Sequence, residues 1–170
     1  GGGGGDAGVD FSCIFEAVLI GEERRFEEDP RFGVSVLSEI AGRALSPGIN
    51  DPGTAVEIIG AFVRIFAQWS ETERQDVATQ RDRVWVPEVS VDDMFDNAFS
   101  AISRDGAGTI EVMLRLQSAL TSLSSLGAGE FREAASRHAQ FALKHAELAL
   151  KLPEEVELVR RSIQHENRST

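Results

Sequence analysis

Cys13 is the only cysteine in 170 residues, so no intrachain disulfide can staple the chain. Its thiol falls in an apolar helical pattern, where a buried inert side chain is expected rather than a nucleophile, and a reducing compartment is favoured. Basic residues are also short. Against 28 Asp and Glu there are 17 Lys and Arg, and the resulting net charge of −11 repels phosphate backbones on average, which argues against nucleic acid as a partner. No run approaches the roughly 18 uninterrupted apolar residues that a membrane span needs, and no basic segment followed by an apolar one opens the chain. The polypeptide as it stands is expected to be soluble.

Motifs that carry chemistry are missing too. No Ser sits in a Gly-x-Ser-x-Gly elbow, and no phosphate-cradling loop or dinucleotide fingerprint precedes a helix. His138 and His145 lie seven residues apart beside Phe141 and Leu148, not among acidic ligands, which suits structural or interface histidines better than a metal pair. Asp92-Asp93 and Glu154-Glu155 begin helices, where they favour the dipole and need no glycosidase reading. No metal and no cofactor is expected, and the reading leans away from an enzyme.

What the chain does have is helical pattern. An apolar content of 42% is enough for one core. Gly1 to Gly5 has nothing to bury, so residues 1–9 read as a flexible linker or tag, residues 10–166 as a single helical domain and 167–170 as a disordered tail. From Asp10 as cap, Phe11, Ile14, Phe15, Val18 and Leu19 follow one helix face. Asp29-Pro30 opens a second helix, which Pro47 ends at Ser46, and Pro47-Gly48 suits the centre of a type II turn. Asp51-Pro52 opens a third helix, running to Trp69 and expected to be the most buried.

Residues 70–83 have no apolar period and read as a solvated connection, while Val84-Trp85-Val86-Pro87 is the one strand-like run. Ser90 or Asp92 then starts a helix that breaks at Asp105-Gly106-Ala107-Gly108. Val112 to Leu126 forms an apolar seam, and after Gly127-Ala128-Gly129 a further helix carries a single polar stripe of Glu133, Arg137, Gln140, Lys144, Glu147 and Lys151. Its alanines allow close approach, so an antiparallel hairpin is expected. Pro153 starts a final acidic helix. The fold class is all-α, a compact bundle of six or seven helices with at most one short strand near residues 84–86.

The turn between the second and third helices holds the best candidate residues, because a loop anchored on both sides fixes its polar groups. Asp51 is expected chiefly to cap a helix, Asn50 to take a turn geometry, Ser46 to satisfy a terminal backbone group and Arg43 to pair with Glu39. Two rivals use the same residues: a small-ligand or cation-sensing site in the Ser46–Asp51 turn, and an enzyme working through Asp51. Arg24, with Arg25 and Arg31 around Asp29, could also join Arg43 in an anion site.

Ala44-Leu45-Ser46-Pro47-Gly48-Ile49-Asn50-Asp51-Pro52, taken with Asp29-Pro30-Arg31-Phe32-Gly33 and Ile20-Gly21-Glu22-Glu23-Arg24, closely resembles the core of a bacterial family of predicted membrane proteins, domain of unknown function 2254. The resemblance is most specific from residue 20 to 55. It implies several transmembrane segments before the matched region, so the chain is expected to be a soluble portion of a protein of the bacterial cell membrane, facing the cytoplasm. Its implied partners are those upstream segments and further copies of itself, and its implied role is oligomerisation or regulation of the membrane portion. A basic residue also occupies the place of Arg24 in the family pattern, although Phe26 follows Arg25 here where the family shows Thr after its Arg.

Overall fold

Pro30, Pro52 and Pro153 each open a helix in the computed structural model, at the one helical position where a missing N–H costs nothing. The structure describes residues 30–76, 90–126 and 129–164. The helix expected at 11–19, the strand-like run at 84–86, the Gly-rich start and the tail from 167 lie outside the described residues. Within them are six helices and no strand: α1 (Pro30–Ala44), α2 (Pro52–Asp76), α3 (Val91–Asp105), α4 (Ile110–Leu126), α5 (Glu130–Ala149) and α6 (Pro153–Gln164).

Two boundaries differ from the pattern reading. Helix α2 runs on to Asp76, into the stretch read as a connection. Glu, Arg and Gln are good helix formers and no Gly or Pro intervenes, so the helix continues without an apolar face to require it. The turn after α1 is also built differently. Gly48 does not take the positive φ that a type II turn demands there; Asn50 does, at φ 50°. The Ser46 carbonyl instead accepts from the N–H groups of Ile49, at 3.0 Å, and Asn50, at 2.8 Å, so the chain makes one more helical turn before its left-handed residue. Asn is among the few side chains that tolerate that conformation.

Helix α3 is capped by Ser90, whose Oγ accepts from the Asp93 N–H. It ends at Gly106, with φ −90°. Close approach, not left-handed geometry, is why glycine stands there: a β-carbon would lie 2.6 Å from Val112 Cγ1 and 2.8 Å from the Ile102 carbonyl oxygen.

Helices α1, α2, α4, α5 and α3 pack in that order as a closed ring, α3 returning to α1, while α6 lies on α4 and α5. The α4–α5 pair is the hairpin the alanine pattern anticipates: Ala134, Ala135, Ala139, Ala142 and Ala146 are all buried. Inside the ring sit Phe62 and Phe66 of α2, Phe95 and Phe99 of α3 and Phe131 of α5. Phe66 and Phe95 approach edge to face with centroids 4.6 Å apart, and Phe95 meets Phe131 the same way at 5.1 Å. Burying each such ring contributes about 1.5–3 kcal/mol, whereas an exposed ion pair adds about 0–1 kcal/mol, so the aromatic cluster fixes the bundle.

The apolar faces of α2 and α5 are largely covered within the chain. Ile59, Phe62 and Phe66 point into the ring, as do the alanines of α5. Apolar side chains remain exposed at Ile49, Leu152 and Leu158, and on the outer side of α5 at Phe141 and Leu148. No helix among the described residues is long and apolar enough to cross a membrane.

Candidate functional site

The turn from Arg43 to Asp51 is tightly tied to itself. The Asp51 N–H donates to the Ala44 carbonyl at 2.8 Å, closing the loop. Ser46 Oγ donates to the Arg43 carbonyl at 2.7 Å, so its hydroxyl satisfies the terminal backbone group, as its position suggested. Asp51 caps α2: its Oδ1 accepts from the Thr54 N–H at 3.2 Å and its Oδ2 from the Thr54 hydroxyl at 2.6 Å. The Thr54 hydroxyl above all, then the Thr54 and Gly53 N–H groups, hold the exposed carboxyl below its ordinary value.

Arg43, Ser46, Asn50 and Asp51 thus share one turn, while Arg24 lies outside the described residues. Arg43 is exposed, and among the described residues no ion pair joins it to Glu39 as the i, i+4 spacing suggested. Both side chains stand in water, where such a pair gains little. Arg31 and Arg43, twelve residues apart on α1, are separated by about 18 Å of helix, too far to hold one small anion. Arg31 is occupied elsewhere, with Nη2 2.7 Å from Asp93 Oδ2.

That contact belongs to a second constellation, which the sequence does not show. The three acids in the first half of α3 each reach a different residue on a neighbouring helix. Asp93 takes Arg31 of α1; Asp92 takes Arg137 of α5; and Asp96 Oδ1 lies 3.2 Å from Nε2 of His138, also on α5. His138 is only 4% exposed and rests against Phe95 and Phe99, with ring centroids 5.8 and 6.4 Å away. Its Nδ1 is buried with no hydrogen-bond partner.

Burial is the main reason the imidazole is held below its usual pKa; Asp96 opposes the shift, Arg137 adds to it and Asp92 opposes it. The ring is therefore neutral at pH 7. A cleft of about 300 Å³ opens beside it between α3 and α5, lined by Asp96, Arg137, His138, Gln140, Phe141 and Lys144. It offers two cations, a carboxylate and an aromatic wall, a set that suits a small polar ligand. Among the described residues, no group of three or more His, Cys, Asp or Glu could hold a metal ion.

The burial of His138 could have been inferred, because it falls outside the polar stripe of α5 and one turn after the buried pair Ala134 and Ala135. Its partner could not. Asp96 is 42 residues away in sequence and looks like any exposed helical acid until α3 and α5 are packed together.

A sequence profile described as predicted membrane protein (DUF2254) matches residues 7–122, a span that takes in α1 to α3 and most of α4 but stops short of His138. Similar curated proteins include uncharacterized proteins from two strains of Mycobacterium tuberculosis and one from Mycobacterium bovis, each 46% identical over 57 residues. Those residues cover 32% of this chain and 11% of each relative. No solved structure matches the chain.

Proposed function

Because the chain belongs to the family of predicted membrane proteins DUF2254, we propose that it is an extramembrane helical domain that joins copies of its parent protein and so regulates the membrane portion. One observation carries the reading. Phe141, His145 and Leu148 follow steps of four and three along the outer side of α5, and Phe141 and Leu148 are 47% and 87% exposed. Phe141 and His145 already stack edge to face, with centroids 4.7 Å apart. An ordered apolar row of this spacing suits a second helix packing against it. Closed two-fold pairing with another copy is the simplest occupant, since the same row then serves both partners. The domain is placed at the bacterial cell membrane on its cytoplasmic side, a reading supported by the single cysteine.

Sedimentation of the 170-residue chain tests this. The expected result is a concentration-dependent dimer that Leu148→Glu, alone or with Phe141→Glu, converts to monomer without lowering the melting midpoint. A native chain that stays monomeric over a wide concentration range overturns it.

A second reading, ligand or cation sensing at the Ser46–Asp51 turn, draws its support from Asp51. That carboxylate is exposed, and its hydrogen bonds to Thr54 hold its pKa below the ordinary value. The same group would serve the alternative of an enzyme. Substituting Asp51 separates both from simple capping.

A further inference from the structure

We propose that Arg64 of α2 and Arg115 of α4, which meet beside Gly60, form a binding site for a phosphate-class oxyanion that bridges their guanidinium groups. Gly60 is buried where α2 packs on α4, and its missing side chain makes room for the end of Arg115, which like Arg64 is otherwise exposed. A β-carbon on Gly60 would lie 3.0 Å from Nη2 of Arg115 and 3.8 Å from Nη1 of Arg64. The two guanidinium nitrogens are therefore within about 7 Å of each other, close enough that like charges repel unless an anion lies between them.

Neither guanidinium has an ion-pair partner among the described residues, in a chain whose net charge is −11. Glu57 sits about two turns before Arg64 and Glu111 about one turn before Arg115, yet neither pairs with these arginines. An anion that contacts both nitrogens at roughly 2.8 Å through different oxygens spans such a gap. A phosphate dianion matches the two positive charges, whereas a carboxylate supplies only one. The geometry suits the phosphate of a soluble ester and that of a lipid headgroup equally.

Calorimetric titration of the 170-residue chain with inorganic phosphate at low ionic strength tests the site, with Arg64→Gln, Arg115→Gln and Gly60→Ala alongside. Phosphate should bind the native chain, and each Arg→Gln should weaken it by about tenfold or more through loss of a charge-assisted contact. Gly60→Ala is the sharper variant. It keeps both charges and favours helix, but its methyl group takes the space against Arg115 Nη2; affinity should fall while the melting midpoint holds or rises. Absence of binding to the native chain, or equal affinity in all four proteins, overturns the proposal.

Flotation with phosphatidylcholine vesicles, with and without phosphatidic acid, separates the sources. Retention only on phosphatidic acid, lost in both arginine variants, assigns the site to a lipid headgroup. Phosphate binding without vesicle retention assigns it to a soluble phosphate.

Discussion

His138 and Asp96 face each other across α5 and α3 with Nε2 and Oδ1 3.2 Å apart, and the two ends of that contact lie in opposite surroundings. The imidazole is 4% exposed and the carboxylate 68%. The carboxylate is stable in water with or without its partner, whereas the ring has given up its hydration and left Nδ1 without a hydrogen bond. The contact is thus an asymmetric one, in which protonation of the buried His138 bears on the folded state.

That asymmetry sets a pH dependence. The unfolded chain protonates His138 near its ordinary value of 6.5, while the folded chain does so only at lower pH because burial disfavours the imidazolium. Over that interval the unfolded state binds more protons. The stability is therefore complete above pH 6.5 and lost as pH falls toward the folded pKa. His138→Phe removes the titration and extends the ring cluster of Phe95 and Phe99, with a change at neutral pH of no more than about 1.5 kcal/mol. Urea unfolding at pH 7.5 and pH 5.5 should show the native chain losing more stability than the variant. Equal losses in the two proteins would mean that His138 does not govern this interval.

Asp51 separates a cap from a ligand. Asn can accept from the Thr54 N–H in the same way, whereas Ala cannot. Asp51→Asn should therefore melt close to the native chain and Asp51→Ala a few degrees lower. The lowered pKa adds a second signature. Stability from this carboxylate is present above its unfolded value near 3.8 and is lost as pH falls below it, so Asp51→Asn should resist that last acid step. If Asp51→Asn keeps its melting midpoint but abolishes the phenotype of the full-length protein, the charge itself is needed and capping is not its whole role.

Gly106 and Gly108 stand two residues apart in one turn and should respond oppositely. An alanine methyl at Gly106 meets Val112 Cγ1 and the Ile102 carbonyl at distances that force backbone movement, so Gly106→Ala should cost about 1–3 kcal/mol. Nothing lies within 4 Å of the corresponding atom at Gly108, and its φ is not positive. Gly108→Ala should leave stability unchanged or raise it by up to about 1 kcal/mol. Thermal melts of the two variants check this, and a tolerated Gly106→Ala would show that the α3–α4 corner packs less closely.

The sequence by itself determined the helical class, the starts of α1 and α2 at their Asp-Pro pairs, and the division of α5 into a buried alanine side and a polar stripe; it left the start of α3 between Ser90 and Asp92. These features rest on periodicity and on interactions spanning three or four residues, which a linear string displays directly. It did not determine which residue of the Ser46–Asp51 turn takes the left-handed conformation, because Gly48 and Asn50 both tolerate it and only the closing bond from Asp51 to Ala44 selects between them. Nor did it pair Asp92, Asp93 and Asp96 with Arg137, Arg31 and His138, or bring Arg64 and Arg115 together beside Gly60. Those choices belong to the tertiary structure, since they join residues 42 to 62 positions apart and follow from which helix faces meet when the aromatic core closes.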